Sequence, residues 1–403
     1  MNAPGPATLS IVNALIFDGT SPDLTEGCVR VAGGVITEVG GRPGEADLVI
    51  DARGRTVIPG LIDAHFHAYG AHLSSLEIEA GSMSYLALAG ARRLAAALGR
   101  GFTTVRDVAG GDAGLARALA ERLIPAPRYL FTGRALSQTG GHGDPRPPDL
   151  DFCTHGGMCE VVDGADAMRR AVRERFRQGA HAIKIMTSGG VMSPADPIRV
   201  PQYSAGEIAA VADEAARRGS YVAAHAYSPE AIVHSVENGV RSIEHGNLLD
   251  PPAAALMAER GAFLVPTLAT YDAMARRGAG LGLGAVGLAK NLEVLDSGRR
   301  AIEIARRAGV RIGFGTDLMG ALEDEQLQGL RLQAEVEGPL AVLRSATSAN
   351  AELLGRDDIG RIAPGAAGDL IVVDGNPLED PSVLWAGPGR RTVIQGGAPV
   401  AAG

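Results

Sequence analysis

The chain has 403 residues, 46% of them apolar, enough to bury one large core or two smaller ones. A net charge of −8, with 46 acidic against 38 basic residues and no basic stripe, argues against a nucleic-acid partner and for a small-molecule substrate. Three cysteines (Cys28, Cys153, Cys159) are an odd number without metal-type spacing, so reduced thiols and a cytoplasmic location are expected rather than a disulfide framework.

The opening MNAPGPATLS carries no basic residue and no long apolar run, so a frayed tail is expected there, not a signal peptide or membrane anchor. Residues 1–55 then read as short strands broken by turn signals, in TLSIVNALIFDG, GCVRVAGGVITEVGG and ADLVIDARGRTV. Residues 364–403 return to that texture in AAGDLIVVDGNP and RRTVIQGGAPV. Both ends together predict one small β-sandwich domain (1–55 plus 364–403).

Between them, over 56–363, eight apolar runs alternate with Ala/Arg/Glu-rich helical stretches: VIPGLIDAH, FTTVRD, RYLFTG, AHAIKIMTSGG, YVAAHAY, VRSIEHG, AFLVPTL and VRIGFGTD. With helix candidates such as PEAIVHSVENG and SGRRAIEIARRAG between them, this α/β pattern predicts a (β/α)8 TIM barrel. An open doubly wound sheet is the alternative, but no glycine fingerprint follows the first run.

A barrel gathers its reactive groups at the C-terminal ends of its strands. Five of the eight runs end in or near a ligand-type residue: His65 and His67 in the first, Lys184 in the fourth, His225 in the fifth, His245 in the sixth and Asp317 in the eighth. Alternation along a strand points both imidazoles of an H-x-H pair the same way, which suits two ligands on one metal. His72, His155, His181 and His234 fall elsewhere and read as surface or helix-packing residues. Only two of the 38 basic residues are lysines, Lys184 and Lys290, and Lys184 sits inside an apolar strand. A lysine amine buried beside cations loses its proton readily and can then take up CO2 as a carbamate. The plainer alternative pairs Lys184 with a carboxylate such as Asp107. Asp317 could equally cap a following helix.

In order, VIPGLIDAHFH, AIKIMTSGG, AAHAY, SIEHG and GFGTD resemble the metal-ligand strands of the amidohydrolase superfamily. The resemblance spans nearly the whole chain and ends in NAELLGRDDIGRIAPGAAGDLIVVDGNP, which is similar to imidazolonepropionase-like members. It implies two divalent metal ions, zinc foremost: His65, His67 and Asp317 on one, His225 and His245 on the other, and carbamylated Lys184 bridging both. A hydroxide shared by the metals would attack a polarised carbonyl, with Asp317 moving the proton. The lysine, and the absence of a deaminase-style glutamate soon after His225, make the chain most similar to the prolidase-like metallocarboxypeptidases and ochratoxin-hydrolysing amidases. That branch implies cleavage of the C-terminal amide of dipeptides or N-acyl amino acids, and a homo-oligomer such as an octamer. The loop SQTGGHGDPR resembles that group's substrate loop. His142 and Tyr227, with Arg199, are therefore candidate donors to a substrate carboxylate, though His142 could be only a loop turn and Tyr227 only packing. The segment SGGVMSPADPIRVPQYS is long for a βα connection and is expected to cover the site. A cyclic-amide hydrolase or lactonase is the rival activity and a non-catalytic scaffold the rival class.

Overall fold

A computed structural model of the chain describes residues 8–41, 44–146, 157–193 and 196–401. Residues 1–7 of the expected frayed tail, Cys153 and His155 lie outside these. Cys28 and Cys159 are free thiols.

The first strands are β1 (Thr8–Ile16), β2 (Thr25–Ala32), β3 (Val35–Gly40), β4 (Leu48–Asp51) and β5 (Thr56–Pro59). The middle of the chain gives β6 (Leu61–Phe66), β7 (Phe102–Asp107), β8 (Arg128–Phe131), β9 (Ala135–Ser137), β10 (Cys159–Val161), β11 (Ile183–Met186), β12 (Val222–Ala226), β13 (Ser242–His245), β14 (Phe263–Val265) and β15 (Arg311–Ile312). Near the end come β16 (Leu370–Val373), β17 (Arg391–Gln395) and β18 (Ala398–Pro399).

Each of the eight predicted runs contains a strand, and these strands are parallel. They do not form the one closed ladder that was expected. One sheet runs β10-β9-β11-β12-β13-β14-β15 and a second runs β6-β7-β8. Regular pairing lapses where β6 carries register shifts and the chain past β15 contains Gly313 and Gly315. Single backbone bonds cross the two gaps: Ala64 N to Phe314 O (2.9 Å) and Asp317 N to His65 O (2.8 Å) at one, His181 N to Phe131 O (2.7 Å) at the other.

Burial parity decides which side chains face the site. Ile183 and Ile185 of β11, Ala224 and Ala226 of β12, Ile243 of β13 and Leu264 of β14 pack outward with Met168, Val172, Ile208, Val211, Ile232 and Ile302 of the covering helices. Each large aliphatic side chain buried there contributes about 1.5–3 kcal/mol. Lys184, Met186 and His225 therefore face the other way. Short caps start the helices close behind the strands: Ser204 with Glu207 forms a capping box, and Ser228 and Asp250 each cap a helix with proline at its first turn.

The two chain ends build one eight-stranded sheet, β18-β17-β16-β5-β1-β2-β3 with β4 on β1, rather than two facing sheets. The difference arises at Asn13, where φ is 53° and β1 carries a bulge. Before it, Leu9–Val12 pair with β4; after it, Leu15 and Ile16 pair with β5, so the sheet branches and folds around Leu9, Ile11, Val29, Val57, Leu370 and Ile394. Thr56–Pro59, assigned by sequence to the larger unit, belongs to this sheet. No helix among the described residues is long and apolar enough to cross a membrane.

Candidate metal centre

His65, His67, Lys184, His225, His245 and Asp317 all line one cavity. The Asp317 Oδ1 atom lies 3.4 Å from His65 Nε2 and 2.9 Å from His67 Nε2, and Oδ2 lies 3.8 Å from His245 Nδ1. Ring centroids are 5.1 Å apart for His65 and His67, 4.9 Å for His65 and His245, and 4.6 Å for His225 and His245. One ligand atom from each of His65, His245 and Asp317 falls within a 4.8 Å span.

Strict alternation would turn His245 away, since Glu244 already faces inward. A φ of 72° at His245 brings both side chains inside. Asp317 (φ 53°) and Thr267 (φ 37°) share this left-handed backbone, which non-glycine residues adopt only when their surroundings hold them there. Asp317 does not cap a helix; Met319 precedes the next one. At Gly315 a Cβ would sit 2.5 Å from the His65 Cβ, so only glycine leaves room for that ligand.

Burial pushes the Lys184 amine down to about 8, against the pull of Glu244 and Asp317. Its Nζ is buried without a hydrogen-bond partner. The alternative partner Asp107 is engaged elsewhere, accepting from Ala68 N (3.0 Å), Ala109 N (3.2 Å) and the Tyr129 hydroxyl (2.7 Å). Burial and then His142 and His245 hold His225 well below the usual imidazole range, and burial and then His65 do the same for His245. Both are neutral rings with a lone pair to offer. Burial would raise Asp317, but His65 and His67 outweigh it and keep the carboxylate ionised. A buried amine with no partner costs about 1–3 kcal/mol unless something binds it. This orphaned Nζ, together with imidazole nitrogens and a carboxylate, fits a pair of borderline divalent ions.

Sequence reasoning missed the groups that aim these ligands. Glu244 accepts from His65 Nδ1 (2.7 Å) and pairs with Arg106 (2.7 Å), all three fully buried. Burial opposes the Glu244 charge, and Arg106 followed by His65 overrides it to hold the carboxyl far below its usual range. Arg93 bonds the carbonyls of His67 (3.3 Å) and Leu318 (2.6 Å), tying the two ligand loops together. Thr267 contacts His245 Nδ1 at 2.8 Å and donates to the Tyr271 hydroxyl at 3.5 Å. The Thr267 oxygen therefore accepts from Nδ1–H, which leaves His245 Nε2 bare for a metal. The Tyr271 hydroxyl in turn shares a hydrogen bond with the Tyr227 hydroxyl (2.8 Å). Only the position of Glu244, one residue before a ligand in SIEH, hinted at any of this.

His142 is brought to the cavity, stacked on His225 at 4.1 Å with Nδ1 2.9 Å from Ser193 Oγ. Tyr227 lines it as well, stacked on His245. Arg199 does not: the loop after β11 carries it outward, where it pairs with Glu293 (2.9 Å) and is 58% exposed. Val191, Met192 and Ser193 of that loop form part of the wall. His72 pairs with Glu77 at the surface, His234 packs a helix against Tyr203 O, and burial lowers His181 to about 4 away from the site.

Residues 56–400 match the amidohydrolase family. Ochratoxinase from Aspergillus niger is 33% identical over 368 residues, covering 85% of this chain and 75% of that protein. A prolidase solved in complex with N-methylphosphonate-L-proline is 44% identical, with a TM-score of 0.94 over 98% of this chain and 99% of that one. A Xaa-Pro dipeptidase with methionine bound in its active site is 31% identical, with a TM-score of 0.88 over 98% and 99% of the two chains.

Proposed function

The chain belongs to the amidohydrolase family, and on that premise we propose that it is a metal-dependent hydrolase cleaving the amide bond that joins an acyl or aminoacyl group to a C-terminal amino acid. The observation that carries this reading is the cluster of five ligand-type side chains around Lys184, whose buried Nζ has no partner of its own. The prolidase and the Xaa-Pro dipeptidase among its relatives support a peptide-like substrate over an ester.

His65, His67 and Asp317 would hold one divalent ion and His225 and His245 the other, with Lys184 between them and zinc the expected metal. The neutral Lys184 amine would attack CO2, forming an N–C bond and releasing a proton, and the resulting carbamate supplies two oxygens where the bare amine supplies one nitrogen. When bound, the metal pair would polarise the scissile carbonyl and ease deprotonation of water. Asp317 has its side chain 18% exposed to the cavity and is kept ionised by His65 and His67. It would take the proton from the attacking water and return it to the leaving nitrogen. The Tyr227 hydroxyl would meet a substrate oxygen. The same reading joins the two parallel sheets into one (β/α)8 barrel, with the chain ends and Thr56–Pro59 as a separate unit in a cytoplasmic homo-oligomer.

The test is a zinc-loaded preparation assayed against N-acyl amino acids and dipeptides on one side and hydantoins and lactones on the other. Preference for the linear amides is expected; preference for the cyclic set would overturn the reading. Near-zero zinc, manganese or cobalt per chain after gentle purification would favour a scaffold.

A further inference from the structure

Asp63 stands two residues before His65 on β6, fully buried, and uncharged donors hold it where a buried carboxylate would ordinarily meet a cation. His65 N (3.1 Å) and Thr316 N (3.1 Å) donate to its Oδ1, and Thr316 Oγ1 (2.6 Å) and Gln326 Nε2 (3.0 Å) donate to its Oδ2. A carboxylate offers about four acceptor positions, so this one is filled. Arg100 donates to the Gln326 Oε1 atom at 3.3 Å, which turns the other end of that amide toward Asp63. All of these bonds meet at one place, the gap where β6 and the chain past β15 form no regular ladder.

In a parallel ladder a residue whose N–H meets one carbonyl of the partner strand offers its own carbonyl to the N–H two residues further along that strand. Ala64 N meets Phe314 O at 2.9 Å, so the next rung would run from Thr316 N to Ala64 O. That carbonyl accepts from Arg106 Nε (2.6 Å) instead, and Thr316 N bonds the Asp63 side chain. With Thr316 held there, Asp317 leaves the strand direction at φ 53° and donates its own N–H to His65 O (2.8 Å). Its Oδ1 atom then comes to 3.4 Å from His65 Nε2 and 2.9 Å from His67 Nε2.

We propose that Asp63 is a positioning residue that stands in for the missing rung between β6 and the segment past β15, and so sets how closely Asp317 approaches His65 and His67. This rests on reading the cavity as a two-metal site and concerns the ion that those three side chains would share. His225 and His245 sit on strands joined by an unbroken ladder, which needs no such substitute. Removing Asp63 should therefore loosen one end of the ligand cluster and leave the other as it is.

The test uses the full chain, metal-free and zinc-loaded, as wild type, Asp63→Asn, Thr316→Val and the double variant. In the metal-free protein, hydrogen exchange should quicken in the segments carrying His65 and Thr316–Asp317 in both single variants, and stay as in wild type over β11, β12 and β13. Zinc affinity per folded chain, read by competition against a chelator, should fall about 10- to 100-fold in Asp63→Asn, the usual loss when a group supporting a metal ligand is removed, and less in Thr316→Val. The double variant should be no worse than Asp63→Asn alone, because both act through one bond network. With saturating zinc, kcat should fall while KM holds. Unchanged zinc affinity in folded Asp63→Asn, exchange that rises equally over β11 to β13, or a loss confined to KM would each overturn the proposal. If Asp63→Asn does not fold, Thr316→Val is read by the same measurements and the same results overturn it. If wild type binds no zinc, the functional reading falls, and unchanged exchange at His65 and Thr316–Asp317 in the metal-free variants would still overturn this one.

Discussion

The ligand-type cluster of the cavity and its apolar lining are built in opposite ways. Four of the six ligand-type side chains are aimed by a fixed partner: Glu244 and Arg106 behind His65, Thr267 behind His245, and Arg93 across the loops of His67 and Asp317. The apolar wall beside these residues includes Met158, Met186, Met192, Met274 and Met319, five of the chain's nine methionines. Unbranched thioethers fill irregular space and repack around different shapes at little cost, whereas buried hydrogen-bonded groups have few alternatives. The contrast teaches that the ligand-type side chains are held in one geometry while the apolar lining around them can repack. Substitutions on the metal side should change how fast any substrate reacts; substitutions on the wall should change which substrate is preferred.

Lys184→Ala gives the largest expected effect, loss of measurable turnover, with partial recovery when short carboxylic acids are added to stand in for the carbamate. Full activity in that variant, measured beside its metal content, would mean a single-metal site. Asp317→Asn comes next: it should keep some metal but lose roughly a hundred- to ten-thousand-fold in kcat, the range for a removed proton shuttle. Wild-type kcat would take Asp317 out of the chemistry. Glu244→Gln, one layer further out, should weaken zinc affinity or activity about 10- to 100-fold, as expected when a partner that orients a histidine ligand is neutralised. A competition titration against a chelator reads this directly, and an unchanged affinity would show that His65 needs no such support.

A smaller, pH-dependent effect follows from the Lys184 amine at about 8. Below that pH the metal-free protein holds an ammonium, which cannot attack CO2; above it the neutral amine predominates. At a fixed concentration of dissolved CO2, activation of the metal-free protein by zinc should therefore be faster at pH 9 than at pH 7, by severalfold. A pH-independent activation rate would argue against carbamate formation. Smallest of all, Met274→Ala or Met319→Ala should move kcat/KM by about tenfold or less between small and bulky substrates, the usual scale for apolar pocket changes, without altering metal content. A collapse of activity on every substrate would mean that the wall is as rigid as the metal side.

Much of this was legible in the sequence because it depends on local rules. Apolar runs of strand length separated by Ala/Arg/Glu-rich helical stretches announced the parallel strands, and the polar residues at or near the ends of five runs singled out Lys184 and His225. What stayed hidden depends on contacts between distant segments. Glu244 and Arg106 meet across strands whose register cannot be read from either one, and His245 needs a left-handed backbone that breaks the alternation of its strand. The outward position of Arg199 was hidden because residue type says nothing about the course of a long loop. The branch at Asn13, a single residue with positive φ, turned an expected sandwich into one folded sheet.

β5 runs through Gly60 directly into β6, with Gly60 N bonded to Asp369 O (2.8 Å) and Leu61 N to Gly101 O (3.0 Å). The strand bearing His65 and His67 is thus moored to one wedged between β1, from the beginning of the chain, and β16, from near its end. Trimming either terminus would slacken that mooring, so a truncation remote from the catalytic cavity and a lesion inside it would give the same dead enzyme, and only metal binding measured alongside folding would tell them apart.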